Sequence, residues 1–279
     1  MEIKQYKYYT CKYDSAFKEV FLNGDDYSLL KALLESILKV KIHEIIIKNS
    51  ELSSNNVHVR RKLVDSLLYT DKGVYNIEVN TSTDEYVKPR NFSYISNAYA
   101  NYVLKGDDYD KDTKFIQINF SYNLDKSNKD LCRIYKIMDD KNHSFIDNFL
   151  IYEFNMDKYM DFWYNKEKKE IEENKYLIMM NLNKEELKLL SKKDKVVTSY
   201  MDKLNTVNED PRFQSYMSAE EDDRKILNSI KHQYFEQGIE QGIEQGVLIV
   251  AKNLLSSGID IETVSKNTGL SVEELEKIK

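Results

Sequence analysis

The first 40 residues place their apolar side chains at the three- and four-residue spacings of helices. Residues 8–23 put Phe17 and Phe21 on one face, and Asp14 stands where an N-cap residue is expected. Residues 28–40 carry a stronger apolar stripe, formed by Leu30, Leu33, Leu34, Ile37 and Leu38. Both segments are therefore predicted to be helices that bury one face.

Shorter apolar runs follow, and they predict strands. Residues 43–49 form the first, and a hairpin of residues 63–69 and 74–80 comes next, joined by an Asp-Lys-Gly turn. Residues 89–104 have helical spacing with proline in the first turn, and residues 114–120 read as a buried strand. The order α-α-β-β-β-α-β predicts an α/β fold.

The second half of the chain is predicted to be mainly helical. One more strand is expected at residues 148–156, two or three amphipathic helices in 157–204, a linker in 206–222 and one long helix in 223–256. Gly269 separates two short closing helices. We expect a division into a core of residues 1–156, a helical extension and linker of residues 157–222, and a C-terminal part of residues 223–279.

Composition agrees with a folded protein of long regular elements. Hydrophobic residues make up 41% of the chain and aromatic residues 12%, which allows a sizeable core, and only two prolines and eight glycines interrupt it. The two cysteines form no disulfide framework or metal-ligand spacing. No stretch is apolar enough to span a membrane and the N-terminus is no signal peptide, so we expect a cytoplasmic protein.

The hairpin carries the candidate chemistry. With the turn centred between Asp71 and Lys72, Asp65 and Glu78 lie directly opposite each other, and Asn80 shares the Glu78 face. Facing carboxylates repel, and a hard cation such as Mg²⁺ bound between them would remove that penalty. The alternative is a solvated acidic face, with the hairpin covering the core by its other side.

The order of these residues resembles the core motif of PD-(D/E)XK nucleases, in which Asp and Glu bind the metal and a Lys follows. Asn80 stands in the Lys position, and an uncharged amide there is common in the PD-(D/E)XK nuclease family transposases, or recombination-promoting nucleases. Three further segments resemble that family: the DxxFKxxF run at residues 14–21, the Arg90-x-x-x-Tyr94 spacing and the GDDY turn after it.

The resemblance implies a restriction-endonuclease-like mixed sheet flanked by helices and a metal-dependent DNA endonuclease activity. It implies that Asp65 and Glu78 hold Mg²⁺, or Mn²⁺ or Ca²⁺, and that Asn80 orients the water or phosphate. We expect both acids to be solvent-reachable at the sheet edge, beside the start of the helix at residues 89–104. Lys88, Arg90 and Tyr94 are the expected DNA-binding residues, and the helix acid found in many such sites is open among three candidates, Asp14, Glu19 and Glu35.

Charge and the tail qualify this interpretation. The net charge is −6, and residues 1–123 hold 17 basic and 17 acidic residues, so nucleic-acid binding would need a local basic strip. The EQGIEQGIEQG repeat needs a partner surface, which predicts a homodimer through residues 223–279. The closing helical pair resembles a helix-turn-helix unit, but its second helix is acidic, which favours assembly. A catalytically weak family member acting through this tail is the alternative function.

Overall fold

The computed structural model describes residues 7–51, 63–82, 84–103, 112–125 and 127–278. Its elements follow the predicted order as far as residue 121. The first part contains α1 (Asp14–Phe21), α2 (Ser28–Leu38), β1 (Ile45–Glu51), β2 (Leu63–Thr70), β3 (Gly73–Asn80), α3 (Val87–Val103) and β4 (Lys114–Ser121). The α-α-β-β-β-α-β prediction is therefore confirmed.

Two further strands complete a six-stranded mixed sheet. They are β5 (Cys132–Met138) and β6 (Ser144–Asn155), and the strand order is β1-β2-β3-β4-β6-β5. β3, β4 and β6 are parallel, whereas β1 and β2 on one side and β5 on the other add antiparallel pairs. The sequence did not predict β5, because it is an edge strand with few buried side chains.

One face of the sheet carries the main hydrophobic core. Tyr75, Ile77 and Val79 of β3 lie in it, together with Ile116 and Phe120 of β4. The helices that cover this face are α1, α2 and the helices after β6, which are α4 (Met156–Tyr164), α5 (Lys168–Ile178), α6 (Lys184–Leu190) and α7 (Lys195–Glu209). Residues 157–204 thus pack on the same core as the N-terminal helices.

The opposite face is covered by α3. Val74 of β3, Phe115 of β4 and Phe149 of β6 pack there against Ile95 and Ala98 of that helix. The apolar packing occupies the end of the sheet where the parallel strands begin. The polar side chains near their carboxyl ends are described below.

Two sequence predictions about helix ends are wrong. Asp14 is not the N-cap of α1: Tyr13 has the extended cap conformation, while Asp14 is the first helical residue and pairs with Lys18 one turn later. Residues 206–222 are not a linker, because α7 runs to Glu209 and α8 (Pro211–Ser256) begins directly after Asp210. Pro211 starts that helix, a position where the missing N–H of proline costs nothing.

The chain separates into two compact units, residues 1–214 and 215–279. The second unit contains most of α8 followed by α9 (Ile261–Thr268) and α10 (Val272–Ile278). Its small core consists of Ala251, Val264 and Leu275, and Gly269 ends α9 in the left-handed conformation. The predicted boundaries at residues 156 and 222 stay predictions. The part of the chain that the structure describes has no helix long and apolar enough to cross a membrane.

Candidate active site

The two faces of β3 differ in chemistry, as its sequence alternation indicates. Ile77 and Val79 point into the main core, whereas Glu78 and Asn80 lie on the α3 side. Both polar residues are only 4% exposed. The sequence prediction that Asn80 shares the Glu78 face and opposes Ile77 and Val79 is therefore confirmed.

Polar side chains occupy the carboxyl ends of all three parallel strands on this face. The register of β3 and β4 pairs Asn76 with Gln117 and Glu78 with Asn119. The register of β4 and β6 in turn pairs Asn119 with Glu153. Glu78 and Glu153 are therefore two strand spacings apart, about 10 Å between backbones. Ligand sites of open α/β sheets form at such carboxyl ends.

A chain of side-chain amides links these strands. Asn76 Nδ2 donates to Gln117 Oε1 at 2.9 Å and lies 3.4 Å from Glu78 Oε1. Gln117 Nε2 donates to Asn119 Oδ1 at 2.8 Å, and Asn91 Nδ2 of α3 donates to the same oxygen at 3.0 Å. Buried polar groups must be hydrogen-bonded to avoid a large desolvation cost, and this chain meets the requirement for most of its atoms.

The α3 helix connects to Asn80 through two neighbouring residues. Arg90 Nη2 and Asn91 Nδ2 both donate to Asn80 Oδ1 at 3.2 Å, and Arg90 Nε donates to Asn91 Oδ1 at 3.3 Å. Two buried atoms in the network have no hydrogen-bond partner among the described residues, Asn80 Nδ2 and Asn76 Oδ1.

Glu153 is a site residue that sequence reasoning missed. It is 5% exposed, accepts a hydrogen bond from the Tyr135 hydroxyl at 2.8 Å and lies 3.4 Å from the Lys88 ammonium. Partial burial lowers the pKa of Lys88, but the negative Glu153 and the Tyr135 phenol outweigh it and raise the pKa above its ordinary value. The signal was a charged residue close to the end of the largely apolar run at residues 149–154.

A cleft of about 350 Å³ opens over this polar end of the sheet. Asn80, Asn91, Asn119, Lys88 and Glu153 all line it. Its rim also carries acidic side chains and one further cation: Asp84, Glu85, Asp125 and Arg133. The structure thus brings Asn80 and Lys88 to one cleft beside the start of α3.

The hairpin register agrees with the predicted turn. The paired residues of β2 and β3 are Leu67 with Asn76, Leu68 with Tyr75, Tyr69 with Val74, and Thr70 with Gly73. Continued by two residues, this register would set Asp65 opposite Glu78. The side chain of Asp65 lies outside the described part of the chain, so the pairing of the two acids stays a prediction.

The expected position at the sheet edge is wrong for Glu78. β3 is an internal strand with β2 and β4 on either side, and α3 covers its polar face. Glu78 is therefore buried, whereas its neighbour on the same face, Asn80, lines the cleft at the strand end.

The remaining predicted residues lie elsewhere or have other partners. Tyr94 is partly buried against the apolar cluster beneath α3. Glu19 accepts a hydrogen bond from Asn23 at 2.6 Å. The backbone N–H of Ile42 donates to Glu35 at 2.9 Å and lowers the pKa of its carboxyl. Asp14 pairs with Lys18. The choice among these three helix acids stays open.

The residues at this end of β3 fit a hard divalent cation. Within the described residues, which do not include the side chain of Asp65, no three His, Cys, Asp or Glu side chains cluster as a metal site. Glu78 supplies a carboxylate, and Asn76 Oδ1 is a buried amide oxygen without a partner among the described residues. Carboxylate and amide oxygens are the ligands that Mg²⁺, Mn²⁺ and Ca²⁺ prefer.

The mixed sheet, its flanking helices and the polar site at the strand ends define a restriction-endonuclease-like fold. Residues 11–231 match the model of the PD-(D/E)XK nuclease family transposase, and residues 244–279 match that of the C-terminal HTH domain of the Rpn/YhgA-like nuclease family. The chain therefore belongs to the PD-(D/E)XK nuclease family transposases. Neither a curated protein nor a solved structure gives a significant match to it.

The second match changes the interpretation of the tail. A helix-turn-helix domain is a DNA-binding unit, and α9, Gly269 and α10 supply the helix, turn and helix. The charge of the unit is unusual for that role, because residues 244–279 contain six acidic and four basic side chains. Glu273 and Glu274 occupy the first turn of α10, the helix that would enter the major groove.

Proposed function

We propose that this protein is a metal-dependent DNA endonuclease of the recombination-promoting type, which hydrolyses phosphodiester bonds. The observation that carries the proposal is the burial of Glu78 and Asn80 side by side at the end of β3, under α3, where Asn80 faces a cleft that also contains Lys88. Carboxylate oxygens are preferred ligands of hard divalent cations, and family membership supports a cation at Glu78.

In this proposal Asp65 and Glu78 hold the cation, together with the carbonyl oxygen of Val79. When bound, a divalent cation lowers the pKa of a coordinated water and stabilises charge on the phosphate. Asn80 orients the attacking water or the phosphate by hydrogen bonding. The amide chain from Asn76 to Asn119 fixes these side chains before substrate arrives, which is how preorganised polar groups contribute to catalysis.

Positive charge would come from α3, since Asn80 has none. The Lys88 ammonium lines the cleft and Glu153 holds it there, while its side chain remains 64% exposed and able to contact a DNA phosphate. Arg90 is an exposed residue of the same helix that also reaches Asn80. Tyr94 is assigned to DNA binding by the family resemblance alone.

Plasmid nicking in Mg²⁺ tests the activity directly. The full chain should nick supercoiled DNA, and Asp65→Ala or Glu78→Gln should reduce nicking more than about 100-fold, because metal ligands act as one unit. Glu173→Gln, which removes an exposed carboxylate from α5, is the matched control and should cut normally. Nicking that survives both site substitutions would refute the proposal.

Calorimetry with Mn²⁺ in the absence of DNA separates metal binding from turnover. Heat that disappears in Asp65→Ala would support the paired acids as the metal site even if nicking were weak. Metal binding combined with weak nicking would favour the alternative function, a catalytically weak family member that acts through its tail. No heat in the unmodified chain would favour the solvated hairpin.

For the tail we propose self-association together with the DNA binding that its helix-turn-helix match suggests. Apolar side chains stay exposed at successive turns of α8, among them Phe235, Ile239 and Ile243. A two-fold pairing of such helices would bury them, and two sites would allow both strands of a duplex to be cut. In sedimentation, Ile239→Glu with Ile243→Glu should give a monomer. Gln237→Glu with Gln241→Glu, on the opposite side of the helix, should leave the assembly unchanged; equal sedimentation of both doubles would refute the pairing.

A further inference from the structure

The hydrogen bonds around Asn80 fix which end of its amide is free. A guanidinium can only donate hydrogen bonds, so the Asn80 atom 3.2 Å from Arg90 Nη2 must be the oxygen. Arg90 Nε lies 3.3 Å from Asn91, so the oxygen of Asn91 faces Arg90 and its nitrogen faces Asn80. One arginine therefore determines the orientation of both amides.

The hydrogen bonds to the neighbouring strand β4 support the same orientation of the two amides. Asn91 Nδ2 carries two hydrogens, and two oxygens lie within reach, Asn80 Oδ1 at 3.2 Å and Asn119 Oδ1 at 3.0 Å. Asn119 Oδ1 also accepts from Gln117 Nε2 at 2.8 Å. Rotating the amide of Asn80 would set its NH₂ against two donors, and rotating Asn91 as well would set its own NH₂ against Arg90.

In this orientation the Oδ1 atom of Asn80 accepts two hydrogen bonds, whereas its Nδ2 donor remains available. Its Nδ2 is buried and has no partner among the described residues, although the side chain lines the cleft. A buried donor without an acceptor costs free energy, and a bound oxygen atom would recover it. Amide nitrogens donate hydrogen bonds and do not coordinate hard cations.

We infer that Asn80 acts as a hydrogen-bond donor to an oxygen of the bound phosphate or the attacking water, and that Asn91 is the positioning residue that holds it in this orientation. The inference rests on the proposed function and specifies the role of one residue in it. Asn80 would then supply the hydrogen-bond donor of the lysine that usually occupies this position, and the cation would be held by other groups.

Substitution of Asn80 by Asp separates the donor role from a ligand role. The new carboxylate still accepts from Arg90 and Asn91, so the fold should be retained, but the donor is gone. Nicking at saturating Mg²⁺ should fall at least about 100-fold, the cost of removing one preorganised donor from a catalytic site. If Asn80→Asp nicks as well as the unmodified chain, the side chain works through its oxygen and the inference is wrong.

The positioning role is tested by Asn91→Asp, which has nearly the same shape but can no longer donate to Asn80 or Asn119. Nicking should fall by about 10- to 100-fold with Mn²⁺ affinity retained, because the metal ligands are untouched. Asn101→Asp adds the same charge to an exposed position of the same helix and should cut normally. Equal rates for the two variants would remove Asn91 from the mechanism.

Nuclear magnetic resonance of the Asn80 side-chain amide tests the donor role without measuring DNA cleavage. The side-chain amide signal of Asn80, assigned by its loss in Asn80→Asp, should shift when inorganic phosphate and Ca²⁺ are added to the full chain. The shift should be absent in Asn91→Asp and present in Asn101→Asp. A chain that cuts no DNA would refute the proposed function, whereas an Asn80 amide that fails to respond to phosphate would refute the donor role whether or not the chain cuts.

Discussion

Asn208 lies in the segment that the sequence suggested to be a linker, yet its side chain is 6% exposed and hydrogen-bonded to the other end of the chain. The Tyr9 backbone N–H donates to its Oδ1 at 2.7 Å, and its Nδ2 donates to the Tyr9 carbonyl and to the Leu204 carbonyl, each at 2.9 Å. Asn208→Ala would remove all three hydrogen bonds, two of which involve the backbone of Tyr9.

The expected loss follows from that arrangement. Loss of the hydrogen bond to a buried backbone group costs about 1–3 kcal/mol, and two such bonds involve Tyr9. Water that enters the space of the removed side chain would recover part of this cost. We therefore expect the free energy of unfolding to fall by about 2–4 kcal/mol, a large part of the stability of a typical domain.

Urea unfolding followed by circular dichroism measures this loss, with the slope against urea checked for constancy. Asn205→Ala is the matched control, one helical turn earlier on α7. It removes a single partly exposed hydrogen bond, from the Tyr8 hydroxyl to Asn205 Oδ1 at 3.1 Å, and should cost about 0.5–1 kcal/mol. If Asn208→Ala costs no more than Asn205→Ala, the segment behaves as a linker and the reasoning fails.

Three further predictions concern the site and the hairpin turn. Asn80→Lys retains a donor and adds charge, so it should maintain or raise nicking at saturating metal; complete loss would show that the amide has its own positioning requirement. Lys88→Met and Glu153→Gln should each slow nicking about 10-fold and together cost no more than either alone, because one residue acts through the other; additive losses in single-turnover assays would refute the pairing. Hydrogen bonding from the His43 backbone N–H holds the pKa of Asp71 at about 2, below the ordinary 3.8, so its stabilisation is present above about pH 4 and is lost as pH falls toward 2. Between about pH 4 and pH 2 the urea midpoint of Asp71→Asn should therefore fall less than that of the unmodified chain. An equal fall would contradict the role of the Asp71 carboxylate.

The predictable part of the fold was the part governed by local periodicity. The apolar spacing of the N-terminal helices and of β3 and β4 gave their positions within a few residues, because each element buries at least one regular face. The hairpin register also followed from the sequence, since a short turn fixes which residues pair. β5 was not predicted because an exposed edge strand buries no face, so its sequence shows no regular alternation of apolar and polar residues.

The site was predictable only where its residues are close in sequence. Glu78 and Asn80 share a strand face, which a two-residue period reveals. Glu153 and Asn119 reach the same place through the parallel pairing of β4 and β6, and no local pattern specifies which strands become neighbours. Asn91 was missed for a related reason. A buried asparagine on a helix resembles any other polar residue until the helix is placed over the sheet.

The arrangement of charge explains how an amide can occupy a position usually held by lysine. Arg90 donates hydrogen bonds to the oxygens of both Asn80 and Asn91, and these bonds fix the orientation of both amides. A hydrogen bond from a charged donor polarises the buried amide that accepts it. The guanidinium therefore need not enter the catalytic position, because its hydrogen bonds leave the positive end of the Asn80 amide available there.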